Sequence, residues 1–404
     1  MTAVAVVGIG AVSAAGEGAD ALWDAAREGR SCIGPIPGLL PGRHLVQRGG
    51  AVVDVELDGR ADRRLAPFCD RFAKFALIAA GEAAAQSGLD EAELAGPRVA
   101  VVLGTGVGGA EAIEAGIVQV YTTDDKRPDP RSVPRLMPSA IASLVGMRFG
   151  ATGTTFAVAS ACSSSTQAIG IAAGLIRAGL ADIAITGGSE ACLTPAGMLA
   201  WETLRVMSPD ACRPFSLGRT GMMLGEGAGI LVLEKAERAT ARGARPLAWI
   251  SGYGTTADAV DMIRPDVGGA SRAMLMAVAD AGLAPGDIDH VNAHGTGTVA
   301  NDANEAAALR LVFGDRCDRM PVSSTKPVHG HALGATGALE AIVTIGALRD
   351  GLAPPTANFL EAAPDCPVDI VVGQARPVAM RHALKNSFAF GGINACLVLS
   401  RAGD

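Results

Sequence analysis

Of the eight cysteines and six histidines in this 404-residue chain, three stand where their chemistry can be used. Cys162 lies in ASACSSSTQAIGIAAGLIRAG, residues 159–179, where small residues give way to an apolar helix. A thiolate is the reactive form of cysteine, and an unperturbed thiol has a pKa of about 8.5. A helix N-terminus supplies unpaired N–H groups and a positive dipole end, and both favour the anion. Ser160, Ala161 and Ser163 are small enough to let a substrate approach. His294 sits in NAHGTGT and His331 in KPVHGHALGATGALE. Each follows an apolar strand beside turn glycines, where α/β sheets present functional groups. One cysteine with two histidines is a recurring set for acyl chemistry. The other seven cysteines read as small inert core residues. His44, His290 and His382 read as surface or satisfied core residues, and His329 is left open. Lys326 precedes His331 and Glu340 follows it. A lysine buried there needs a carboxylate partner; taken alone it reads as a surface residue.

These side chains need a scaffold, and the apolar runs supply one. Residues 3–14, 97–109, 181–191, 228–243, 287–298, 320–327, 369–373 and 382–400 each read as strand followed by turn, helix or a second strand. Their runs are continuous rather than alternating, which marks strands buried on both faces. An internal echo is present. VAVVLGTGVGG and IDHVNAHGTGT both run from strand into Gly-Thr-Gly. MTAVAVVGIGAV and PLAWISGYGTT both run from strand into Gly-x-Gly, and a small-residue turn opens a long helix at Cys162 and again near residue 330. Two similar α/β units, 1–250 and 251–404, account for this repetition. A dinucleotide site at GIGAVSAAG is not favoured: Ser13 stands at the third position of the fingerprint, and no acidic residue follows a second strand.

Composition narrows the class. With 49% hydrophobic and 19% charged residues the chain is globular. Aromatics are only 4% while glycines number 52, so the core is built from small aliphatic side chains at close approach. A net charge of -7 argues against nucleic-acid binding. No apolar run spans a bilayer, no basic leader opens the chain, and no CxxC pair marks a metal site. Dispersed cysteines fit reduced thiols, and the expectation is a cytoplasmic protein without a metal.

The chain resembles the elongating type of β-ketoacyl-acyl carrier protein synthase, the ketosynthase family of fatty acid and polyketide synthesis. The resemblance rests on SACSSS (160–165), NAHGTGTVANDANE (292–305), SSTKPVHGHALGATGALE (323–340) and NSFAFGGIN (386–394), with CRPFSLGRTGMMLGEGAGILVLE (212–234) as a further block. It covers nearly the whole chain. It implies a thiolase fold, an α/β architecture of five layers, αβαβα, with two pseudo-symmetric halves. It further implies that Cys162 carries the acyl chain as a thioester, that His294 and His331 act in malonyl decarboxylation, and that Lys326 and Glu340 support them. The backbone N–H groups of Cys162 and Phe390 would form the oxyanion hole. Thr296 and Thr298 would hold the pantetheine arm, with Phe388, Ala389 and Val107 at substrate-binding positions.

The implied reaction is a decarboxylative Claisen condensation that lengthens the acyl chain by two carbons. It needs no cofactor beyond the phosphopantetheine brought by the substrate. Acyl carrier proteins are acidic, so an enzyme of charge -7 must gather positive charge near its entrance. Arg63, Arg64 and Arg205 occupy the family's carrier-contacting positions, whereas the charged loop 124–135 reads as solvated surface. The implied assembly is a homodimer or a heterodimer with a related chain-length-factor-like subunit. Ala389, Ile393, Pro327 and Gly297 depart from the residues most relatives carry, and Ala389 raises the expectation of a stiffer gating loop because alanine reaches positive φ less easily than glycine. These departures point to a specialised type II polyketide or polyene pathway, with housekeeping fatty acid elongation as the alternative. A non-catalytic chain-length-factor-like subunit is disfavoured by the presence of Cys162, His294, His331 and Lys326. A chalcone-synthase-like enzyme would carry asparagine in place of His331.

Overall fold

The N-terminal apolar run forms a fully buried strand, β1 (Val4–Ser13). Its side chains alternate between two cores: Val4 and Val6 face one, Ala5 and Val7 the other. Two apolar faces explain why the sequence shows no polar alternation. This computed structural model describes residues 3–40, 42–53, 55, 56, 59, 62–124 and 127–403. Residues 1 and 2 of the first strand stretch, 58, 60 and 61 beside Arg63, and 125 and 126 of the charged loop lie outside them.

Apart from the two-residue strand Gly16–Glu17, which pairs with β1, the remaining main-sheet strands are β2 (Val99–Gly104), β3 (Thr155–Val158), β4 (Ile183–Glu190), β5 (Gly227–Lys235), β6 (Ala248–Ala257), β7 (His290–Asn292), β8 (Val322–Ser323), β9 (His382–Ala389) and β10 (Ile393–Arg401). Their spatial order is β8-β7-β9-β10-β6-β1-β5-β4-β2-β3. Read outward from the centre, each side follows the same pattern of first, fifth, fourth, second and third strand. β1 and β6 meet antiparallel at the centre, Val4 opposite Ile250. The echoed sequences therefore occupy equivalent places: β1 matches β6, and β2 matches β7. The repeat restarts at Ala248, in the strand that contains the 250/251 division.

The five longest helices among the described residues supply most of the helical layers: α1 (Arg71–Ser87), α2 (Ser164–Arg177), α3 (Val267–Asp280), α4 (Val299–Phe313) and α5 (Leu333–Asp350). α2 and α5 form the middle layer. Ala168, Ile169 and Ile176 of α2 and Leu339, Ile342 and Val343 of α5 share one core with β1, β5, β6 and β10. α1 covers the outer face of the first half through Phe72, Phe75 and Ile78. α3 and α4 cover the second half through Met274, Ala277 and Leu309. The result is the five-layered αβαβα arrangement. Sixteen residues of α5, Leu333 to Leu348, are buried, so this helix has no polar face. α2 and α5 approach closely because Gly337 has no side chain: a Cβ there would lie 2.2 Å from Thr166 Oγ1.

One local expectation fails, and one edge strand went unread. Residues 369–373 form no strand, and Ile370 makes only an isolated bridge to Val322. Edge strand β3 is too short and too exposed to stand out in the sequence. No helix among the described residues is long and apolar enough to cross a membrane.

Candidate active site

Cys162 lies in a single tight turn, Ala161–Ser163, between β3 and α2. Ala161 holds φ at +49°, a left-handed conformation that is costly for a residue with a Cβ. The serines hold this elbow in shape. Ser160 N–H donates to Ser164 Oγ at 2.9 Å, and the Ser164 hydroxyl donates to the Ala161 carbonyl at 2.7 Å. The Ser163 hydroxyl donates to the Ser160 carbonyl at 2.8 Å. They tie the turn and make no side-chain cap at the start of α2. Cys162 is only 6% exposed, so approach to its sulfur is confined to the adjoining cavity.

Both histidines come from the second half of the chain. His331 Nε2 lies 3.1 Å from Cys162 Sγ, and its Nδ1 lies 2.9 Å from Thr336 Oγ1. His294 stands edge-on to His331, with ring centroids 5.5 Å apart. The Lys326 ammonium lies 3.3 Å from His294 Nδ1 and also donates to the His294 carbonyl. With Nδ1 accepting, the His294 proton sits on Nε2. Lys326 is itself bound to Glu340 Oε1 at 2.6 Å, and neither residue is exposed. Glu305 fixes the backbone at the first histidine: its two oxygens accept from His294 N–H and Gly295 N–H, each at 2.8 Å.

The electrostatics favour neutral partners at rest. Burial pushes the Cys162 thiol up to about 11, opposed chiefly by the Lys326 charge. Burial, reinforced by the Lys326 charge, holds both imidazoles well below the usual histidine range. A thiol beside a neutral imidazole is set up for proton transfer as a substrate is attacked. The same positive field opposes a metal cation between these donors, although Sγ and one nitrogen from each ring lie within 4.8 Å of one another.

The backbone N–H groups of Cys162 and Phe390 both favour the thiolate, in opposition to burial. Thr296, Thr298, Phe388, Ala389 and Phe390 line the cavity with Cys162, His294 and His331. The two threonine hydroxyls lie 2.9 Å apart. Lys326 and Glu340 lie behind this wall. Val107 does not line the cavity; it is 42% exposed, and its N–H binds Glu190. Arg63, Arg64 and Arg205 are exposed. Arg64 is engaged by Asp62 at 3.1 Å, and Arg205 precedes Val206 of the cavity wall.

Ala389 rests in extended backbone. It is the last residue of β9 and does not have positive φ, which occurs instead at Gly391 and Gly392. Cys32 is half-exposed, unlike the other cysteines. His329 is a buried structural residue bound to Thr325 Oγ1 and the Gly330 carbonyl. Glu305, Trp201, Arg264 and Lys385 are site residues that the sequence did not single out. Trp201 stacks on Phe390 at 5.9 Å, and Arg264 lines the cavity. Glu305 closes the NAHGTGTVANDANE block and Lys385 directly precedes NSFAFGGIN, whereas no motif marks Trp201 or Arg264.

A cysteine, two histidines and a buried lysine meeting at the junction of two matching α/β halves define a condensing enzyme of the thiolase fold. Residues 1–239 match the family described as "Beta-ketoacyl synthase, N-terminal domain", and residues 247–360 match "Beta-ketoacyl synthase, C-terminal domain". The chain belongs to the β-ketoacyl synthase family. It is 45% identical to Nodulation protein E of Rhizobium sp. (strain N33), covering 98% of each chain. It is 38% identical to 3-oxoacyl-[acyl-carrier-protein] synthase 2 of Staphylococcus aureus (strain COL), again over 98% of each. The solved ishigamide ketosynthase/chain length factor structure superposes with a TM-score of 0.96 at 33% identity, covering 100% of both chains.

Proposed function

We propose that this acyltransferase extends a Cys162-bound acyl chain with malonyl-acyl carrier protein, in a specialised polyketide or polyene pathway. The carrying observation is the Cys162–His331 contact of 3.1 Å, with the Lys326-supported His294 beside it. In the loading step Cys162 attacks the acyl thioester. His331 takes the thiol proton and passes it to the departing pantetheine thiol. The Cys162 and Phe390 N–H groups hold the oxyanion. Malonyl thioester then enters along Thr296 and Thr298. The bond to its carboxylate breaks, carbon dioxide leaves, and the bonding pair becomes an enolate. The His294 Nε2–H group, fixed by Lys326 at Nδ1, stabilises that enolate; its carbon attacks the Cys162 thioester, the C–S bond breaks, and the departing Cys162 thiolate takes up a proton from solvent. A β-ketoacyl chain two carbons longer leaves on the carrier.

No cofactor enters these steps. An acidic carrier protein is the partner proposed for the cavity mouth; Arg264 of the cavity wall, Arg205 next to Val206, Arg63 and Arg64 are its contact candidates. A dimer with a second copy or with a chain-length-factor-like subunit completes the proposed assembly. The resemblance to Nodulation protein E and to the ishigamide ketosynthase supports a specialised pathway; the resemblance to the staphylococcal synthase keeps fatty acid elongation as the alternative.

The test is mass spectrometry of products from a panel of acyl carriers with malonyl carrier, with and without candidate partner subunits. Two-carbon extension is expected, with preference for a polyene or polyketide intermediate. Preference for saturated chains would move the assignment to fatty acid elongation. Cys162→Ala is expected to fold and to form no acyl-enzyme. Detection of acylated intact mass on that variant would remove the nucleophile assignment.

A further inference from the structure

Glu340 serves a second lysine. Its Oε1 binds Lys326, while Oε2 lies 3.1 Å from Lys385 Nζ. Lys385 comes from β9, three residues before Phe388 of the cavity wall, and is fully buried. Its ammonium finds three oxygen partners: Glu340 Oε2, Thr166 Oγ1 at 2.8 Å, and Ser387 Oγ. Two hydroxyl acceptors and a carboxylate oxygen at ion-pair distance favour the charged form, although burial lowers the lysine's pKa. One carboxylate thus faces two ammonium groups, leaving an excess of one positive charge in an unexposed cluster. A buried charge with no equal partner is costly and is retained where it has a use.

We propose that Lys385 is a positioning residue for decarboxylation: it leaves surplus positive charge behind His294 and His331, keeping both imidazoles uncharged and favouring the enolate. This inference rests on the ketosynthase reading above. The charges around the two rings come from several elements. His294 faces Lys326, His331 and Lys385, and Glu305 binds its backbone. His331 faces Cys162, Lys326, His329 and Lys385. Glu340 lies between the lysines, and Glu190 acts on Cys162. Both lysines push both imidazoles toward the neutral state. A neutral ring can donate Nε2–H to the developing enolate without first losing a proton. Cation removal reverses the push: the histidines then protonate at a higher pH.

The experiment follows malonyl-carrier decarboxylation against pH in a Cys162→Ala background, which removes condensation. Lys385→Met deletes the charge, and Lys385→Arg keeps it. Lys385→Ser repeats the deletion with a side chain that leaves space for water. In folded charge-deleted variants the acid limb is expected to move up by about one pH unit, while Lys385→Arg stays near the parent. An unmoved acid limb in the Ser or Met variant, whatever the loss in kcat, would overturn the proposal. Absence of decarboxylation in the parent at every pH would instead overturn the ketosynthase reading itself.

Discussion

Burial favours the protonated form of the Cys162 sulfur. Its thiol stands at about 11 because burial outweighs the pull of Lys326. The alkylation rate tracks the thiolate fraction. Iodoacetamide labelling of Cys162, followed by peptide mapping, is therefore expected to accelerate about tenfold per pH unit from pH 7 to 9. A plateau near neutrality would show a standing thiolate–imidazolium pair instead. Mapping is required because Cys32 is half-exposed and competes for reagent. At this scale the sequence was informative where chemistry needs one residue type in a short string. Cys162, His294, His331, Lys326 and Glu340 all sit in such strings, and the structure brings them together. Lys385 and Glu305 act through tertiary contacts, and a lysine before NSFAFGG looks in sequence like any strand residue.

At the scale of elements, the site depends on how closely α2 and α5 approach. A Gly337 Cβ would lie 2.2 Å from Thr166 Oγ1 and 2.8 Å from Ser165 Oγ. Gly337→Ala is expected to cost about 1–3 kcal/mol through overpacking and to lower the urea midpoint accordingly. An unchanged midpoint would mean the helices separate freely, and the close-approach argument would fail. The strand and helix pattern was readable because buried strands appear as continuous apolar runs. β3 was not readable: it has four residues and an exposed start. The turn after β9 was unreadable for a different reason. A motif can mark a loop without showing which of its residues turn the chain, and here Gly391 and Gly392 do so.

For the molecule as a whole, burial of uncharged histidines sets a limit in acid. His290 is fully buried, and desolvation lowers it to about 3. The unfolded chain binds a proton there below about 6.5, which the folded chain refuses. Stability from this group is therefore complete above about 6.5 and is lost as pH falls toward 3. By pH 4 the loss reaches roughly 3 kcal/mol. His290→Gln is expected to melt below the parent at pH 7, with the gap narrowing toward pH 4. A gap independent of pH would remove His290 as a source of acid sensitivity. The two-fold order of the sheet was legible only as a faint echo, because Gly-Thr-Gly and Gly-x-Gly are short strings. Strand pairing made the equivalence visible.

The division of the site between halves also bears on how the protein is made. Cys162 and its base His331 are 169 positions apart. Synthesis at about 5–20 residues per second leaves roughly ten to thirty seconds between their emergence from the ribosome. Through that interval the thiol lacks its base, Lys326 and the Phe390 amide. Under the proposed mechanism the nascent chain is unarmed, and acyl capture waits for the completed molecule.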